Sequence, residues 1–227
     1  MSHFLLPHGT GNPDAKIFIL KDAPTFDEIK RQEFLSDTGG AEFKKMLLEA
    51  GITTTEIFTS SVSKGTLIGT IDSYFTDKAS KGKLIVGGVR HGSLWIKQSI
   101  LDGWNNVAEE IDRVKPNIIV PTGPIGLHFL RGESSIATWR GSVNWSDAVN
   151  RKVIPTYDSA MIMKVWNWRY HAVRDLQRVA YEAQKPTIDD PGYKFEIAPS
   201  FTQVMARLQT LINEAERRKQ ADQKLDA

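Results

Sequence analysis

Two aspartates placed directly after short apolar runs carry the pattern in this sequence that points most clearly to chemistry. Ile17-Phe18-Ile19-Leu20 leads through Lys21 to Asp22, with Pro13 and Pro24 on either side. An apolar run that short between prolines reads as a strand buried on both faces. Ligand chemistry in open α/β sheets collects just beyond the carboxyl ends of such strands, where Asp22 stands. The alternative is an acid that opens a surface turn before Ala23-Pro24. Asp158 follows a second run, Val153-Ile154-Pro155-Thr156-Tyr157. It has three readings: a base for an amine or hydroxyl nucleophile, a donor if burial raises its pKa, or a turn acid without a role.

Positioning such residues takes a scaffold, and the periodicity supplies one. Residues 42–50 place Phe43, Met46, Leu47 and Ala50 on one helical stripe that Gly51 ends. Residues 57–59 form a second strand, and residues 60–82, rich in Ser, Thr and Gly, form a long loop or insertion. Residues 83–86 add a small strand that Gly87-Gly88 breaks. Ile96, Ile100, Trp104, Val107, Ile111 and Val114 predict a helix over 95–114, and residues 117–121 another buried strand. A short helix over 125–130, a last strand over 153–157 and a Trp-rich helix over 165–183 follow. Strands alternating with helices at these crossover lengths predict a three-layer α/β/α sandwich around a central four-stranded parallel sheet. Residues 1–185 form this domain. Residues 185–199, with three prolines, form a linker to an amphipathic helix carrying Phe201, Val204, Met205, Leu208, Leu211, Ile212 and Ala215, beyond which a charge-dense end frays.

The totals narrow the function classes. The 227 residues are 41% hydrophobic and 25% charged, which suits a globular chain rather than a disordered one. A net charge of +2 does not advertise nucleic-acid binding, so any DNA contact must come from a local patch. The absence of cysteine excludes disulfides, thiolate zinc sites and iron–sulfur clusters. The first residues lack the basic start and long apolar run of a signal peptide, and no stretch reaches the about 18–20 apolar residues of a membrane span. A soluble, cytoplasmic protein is expected.

The strand ends Asp22-Ala23-Pro24, Ser60-Ser61-Val62-Ser63-Lys64 and Pro155-Thr156-Tyr157-Asp158-Ser159-Ala160 resemble those of the uracil-DNA glycosylase superfamily. Lys115-Pro116-Asn117-Ile118-Ile119-Val120 and Trp139-Arg140-Gly141-Ser142 add to the resemblance, which covers about residues 15–183. It is nearest to the branch that often carries an iron–sulfur cluster and to relatives in phage genomes. Residues 193–211 also resemble the segment that joins such a domain to the proofreading part of phage DNA polymerases. Several positions depart from the family. Its Gly-Glu-Ala-Pro-Gly is here Lys21-Asp22-Ala23-Pro24-Thr25, so the acid persists one methylene shorter. Its Gly-x-Pro-Phe is Arg31-Gln32-Glu33-Phe34, its uracil-reading asparagine falls at Ser61, and its His-Pro-Ser is Asp158-Ser159-Ala160. The cluster cysteines are missing, and neither a cofactor nor a metal is expected.

The resemblance implies a fold of uracil-DNA glycosylase type and an enzyme that extrudes a nucleotide from DNA. Asp22 and Asp158 are the implied catalytic positions, and Phe34, Ser61 and Ala23 the base-binding ones. Lys64, Arg140, Met161, Ile162 and Lys164 are the implied DNA contacts, the last three on the wedge segment after the final motif. Breaking the glycosidic bond places positive charge on the sugar, which a carboxylate opposes, and negative charge on the base, which donors oppose. An ionised Asp158 only accepts, and Ser61 lacks the paired groups of asparagine. His91 or His171 would have to replace the missing donor. Three functions follow: a glycosylase acting on uracil or a modified pyrimidine, a transferase placing an amine or amino acid on an activated 5-hydroxymethyluracil in DNA, or a non-catalytic DNA-binding or replisome module. The implied partners are DNA and phage replication or DNA-modification proteins, with no membrane.

Overall fold

A computed structural model describes residues 5–76, 85–91, 94–188 and 198–225. The first half contains β1 (Thr10–Gly11), β2 (Ile17–Lys21), α1 (Phe26–Arg31), α2 (Thr38–Glu49), β3 (Ile57–Ser61), β4 (Phe75–Thr76), β5 (Gly88–His91), β6 (Leu94–Lys97) and α3 (Gln98–Val114). The second contains β7 (Ile118–Pro121), α4 (Pro124–Arg131), α5 (Ile136–Trp139), β8 (Asn144–Ser146), β9 (Arg151–Val153), α6 (Ser159–Lys164), α7 (Trp168–Glu182) and α8 (Phe201–Leu225). The chain forms two compact units, Met1–Ile188 and Asp189–Ala227.

The main sheet runs in the order β1-β3-β2-β7-β9-β8. Its four inner strands are parallel, with Ile17 opposite Ile57 on one side and Ile118 on the other. The outer strands β1 and β8 are antiparallel edges. Alternation along β2 separates two cores. Ile17 and Ile19 pack with Phe43, Met46 and Leu47 of α2 and Leu176 and Val179 of α7. Phe18 and Leu20 pack with Ile100, Val107 and Ile111 of α3 and Ile125 and Leu130 of α4. The result is the three-layer α/β/α sandwich that the strand and helix pattern predicts.

The connection from β2 leads to β3 on one side, and that from β7 leads to β9 on the other. The order in which the parallel strands are laid down, not their direction, therefore reverses between β2 and β7, the place where open sheets leave a crevice for ligands. Asp22 follows the first of these strands and Thr122-Gly123 the second.

Several elements differ from the sequence expectation. Residues 26–31, expected in a polar connection, form α1 because Thr25 and Glu28 cap its start reciprocally. Asp37 caps α2 by accepting from Gly40 N, so that helix starts four residues before the expected residue 42. Residues 94–97 are strand rather than helix: Ile96 pairs with Phe75 and Val89 in a separate sheet of order β4-β6-β5. Gly88, expected to break a strand, begins one, and of the strand expected over 83–86 the first two residues lie outside the described ones. The expected linker falls mostly outside them as well. Ser200 and Gln203 cap α8, which continues to Leu225 where fraying was expected.

Candidate active site

Asp22 leaves the end of β2 and turns toward the start of α4. Its Oδ1 accepts from Gly126 N at 2.9 Å and its Oδ2 from Ile125 N at 3.2 Å. These are unpaired amides of a helix N-terminus, where negative charge is favoured. The carboxyl group lies so close to Gly123 that a Cβ there would stand 2.3 Å from its carbon. Burial raises the Asp22 pKa to about 7, against the two amides that favour the ionised form, and the Asp158 charge pushes the same way as burial.

A cavity of about 620 Å³ opens over this acid, lined by Asp22, Ala23, Thr122, Pro124 and, from the opposite wall, Tyr157 and Asp158. Leu67, Gly69 and Ile71 from the segment after β3 and Ile136 from α5 supply apolar sides. Met161, Lys164 and Trp168 complete the wall beyond Asp158. Volume and lining suit a small planar ligand fixed by few polar groups. Within Met1–Ile188, then, the structure brings Asp22, Ala23, Asp158, Met161 and Lys164 together around one space. No group of metal-ligating side chains occurs among the described residues.

Asp158 is the N-cap of α6, accepting from Met161 N at 2.6 Å. Burial raises its pKa, opposed by that amide and by the charges of Lys21 and Lys164. Asp158 lines the same cavity as Asp22.

Lys21 also lines the cavity, and its ammonium is clamped by Glu28 at 2.5 and 2.6 Å. Glu28 is 0% exposed and further accepts from Thr25 N and Leu35 N. A buried carboxyl group with this many donors is fixed in place and holds Lys21 with it. The opposite wall is held by aromatic stacking. Tyr157 and Trp168 lie parallel at a ring separation of 4.5 Å. Arg140 stands 5.5 Å from the Tyr157 ring and forms a two-pronged pair with Asp175 at 2.7 and 3.0 Å. Asp175 also accepts from Thr156 Oγ1 at 2.9 Å.

Other expected site residues lie elsewhere. Phe34, expected to stack a base, is 3% exposed in the core against the sheet, because the turn after α1 carries it inward. Ser61, expected at the base edge, is 0% exposed and donates to Ser63 O at 2.7 Å. Lys64, expected on phosphate, lines a second cavity with His8 and Arg113 and lies 4.0 Å from Glu110. Arg140, likewise expected on phosphate, has its charge taken up by Asp175. Ile162 of the expected wedge is buried in the core because its turn of α6 faces the sheet, whereas Met163 and Trp166 are 50% and 56% exposed. Neither His91 nor His171 lines the cavity. His91 packs near His128 and Phe129, and the carbonyl of His171 accepts from Arg140.

Three site features escape the sequence reading. The Lys21–Glu28 clamp was announced by the Thr25-x-x-Glu28 capping signal. The Trp168 wall had a weaker sign in the aromatic run Trp166-Asn167-Trp168 just past Asp158. The ion pair behind it joins residues 35 positions apart and had none.

Comparison with known proteins fits this geometry. The chain is 23% identical over 172 residues to a DNA polymerase of Bacillus phage SP01, a match covering 76% of this chain and 16% of that protein. It thus spans about a sixth of the length of that relative. The model of the uracil DNA glycosylase superfamily matches residues 8–177, from ahead of β1 to within α7, taking in both the Asp22 turn and the Asp158 cap. The chain belongs to the uracil DNA glycosylase superfamily.

Proposed function

We propose that the chain takes a pyrimidine, uracil or a modified uracil, swung out of DNA into the 620 Å³ cavity and hydrolyses its N-glycosidic bond. The observation that carries this reading is the Asp22 carboxyl group, fixed by two helix amides in the cavity wall with a pKa near 7. In its ionised form Asp22 accepts a proton from a water molecule that adds to C1′ of the sugar, and the base departs with the electron pair of the C1′–N1 bond. Lys164, on the same cavity wall, offers an ammonium to the oxygen on which the negative charge grows, a task that Asp158 cannot perform when ionised. The exposed Met163 and Trp166 beside the rim are suited to hold the gap left in the stack.

A second reading draws support from Asp158. With Asp22 it makes two carboxyl groups of raised pKa on one cavity that has room for more than a pyrimidine. Such a pair suits a transfer in which an amine attacks the exocyclic carbon of an activated 5-hydroxymethyl group. The carbon–oxygen bond breaks, the activating group leaves with the electron pair, and an aspartate takes the proton of the amine. One experiment separates these readings. Duplex and single-stranded oligonucleotides containing uracil, 5-hydroxymethyluracil or its phosphorylated form are incubated with the protein, with and without amino acids, and followed by mass. Abasic product, reduced at least about 100-fold in D22N, is the expected outcome. A mass gain selects the transfer, and binding with no change in mass selects a non-catalytic DNA-binding module.

A further inference from the structure

We infer that the extruded base is read by stacking on Trp168, the outer ring of an Arg140–Tyr157–Trp168 column, and not at Phe34 and Ser61. This rests on the base-flipping reading above and names the surface on which it operates.

The Phe34 end of the site is closed by its own side chains. Lys21 Nζ stands 6.0 Å from the centre of the Phe34 ring, and the two contacts to Glu28 hold it there. Glu28 is in turn fixed by Thr25 N and Leu35 N, so moving Lys21 off the ring would break up an arrangement of three donors around a buried carboxyl group. The Ser61 hydroxyl is turned to a backbone carbonyl. Neither Phe34 nor Ser61 lines the cavity.

Tyr157 and Trp168 do, and everything behind them is braced. The two rings are within 17° of parallel. Arg140 donates to both oxygens of Asp175 and, through Nη2, to His171 O at 2.9 Å, so its guanidinium cannot swing away from Tyr157. Gly141 makes room for the pair: at its φ of +69° a Cβ would stand 2.5 Å from Asp175 Oδ1. Cation, phenol and indole thus form a preorganised stack ending at the cavity, and every base has a π-face to add to it. A platform of this kind, with no Asn or Gln among the described residues that line the cavity, tolerates substituents on the ring. The substrate class is a planar pyrimidine selected by its face, with uracil, thymine-like and 5-hydroxymethyl bases accepted alike.

The test uses the full chain carrying D22N, so that the oligonucleotide stays intact. Fluorescence anisotropy compares duplexes that differ at one nucleotide opposite guanine, which carries uracil, 5-hydroxymethyluracil or no base. D22N is expected to prefer either base over the abasic site and to bind the two bases within about threefold of each other. Adding W168A lowers the preference by about 5- to 100-fold, the worth of one base–aromatic stack, and W168F restores most of it. A preference that survives W168A, or that W168F fails to restore, overturns the inference while leaving base flipping intact. A D22N protein with no preference for a base overturns the proposed function and this inference together.

Discussion

Asp22 is the residue whose ionisation ought to be visible from outside. As a base it acts only when deprotonated, so excision is expected to fall about tenfold per pH unit below its pKa of about 7 and to level off above it. Initial rates between pH 5 and 9 check this, and a profile flat through pH 7 would remove Asp22 from the role. The same shift acts on stability with a definite sign. The folded state binds this proton more tightly than the unfolded chain, whose carboxyl has an ordinary value of 3.8. Its stabilising contribution is therefore complete below pH 3.8 and is lost as pH rises through about 7. The loss is on the order of 2–4 kcal/mol, allowing for partial solvent access. Urea unfolding at pH 5 and pH 8 should show this decline in the wild type and a smaller one in D22N, where the raised carboxyl groups of Asp158 and Asp175 remain. Asp22 was legible because a strand end announces itself by local pattern. The surroundings of Phe34, Ser61, Lys64 and Arg140 could not be read, because they are set by Lys21, Ser63, Glu110 and Asp175, partners that motif order does not reveal.

At the scale of elements, the start of α4 and the brace on α7 make the site. Gly123 has extended backbone angles, so alanine there brings a steric effect without backbone strain. Its methyl would displace the Asp22 carboxyl, and a shift of about 1 Å in a catalytic group costs roughly 100-fold in rate. G123A is therefore expected to lose activity at least to that extent while its circular dichroism stays native. The Arg140–Asp175 pair ties α7 to the segment before β8, and Asp175 is largely buried. D175A leaves a guanidinium without its partner and should cost ~3 kcal/mol in denaturant unfolding. It should also loosen the Tyr157 wall, seen as a raised KM with a smaller change in kcat. The parallel core and its helices could be read in sequence because apolar runs and stripes are long signals. The edge strands β1 and β8 and the short strands β4 and β6 could not: at two to four residues each they are defined by pairing alone.

Within Met1–Ile188, several cations are held in ion pairs. Lys21, Lys64, Arg140, Lys152 and Arg169 each face a carboxylate, so they add little free positive charge. Lys164, on the cavity wall, is one of the described cations outside these pairs. With two or three phosphates neutralised, log K against log salt is expected to fall with a slope of about −2 to −3. Anisotropy titrations at several salt concentrations measure it, and a slope steeper than about −6 would mean that the paired cations reorganise on DNA. The small sheet of β4, β5 and β6 has a different bearing. The segment leading into it supplies Leu67, Gly69 and Ile71 to one side of the cavity and is latched by Tyr74, whose hydroxyl bonds to Ile68. That side is thus built by an insertion hung on the main sheet, separate from the strand that presents the acid. If the proposed function holds, lengthening, shortening or resequencing the insertion is expected to change which bases enter without altering the strand that carries Asp22, giving evolution or an engineer a separate handle on selectivity.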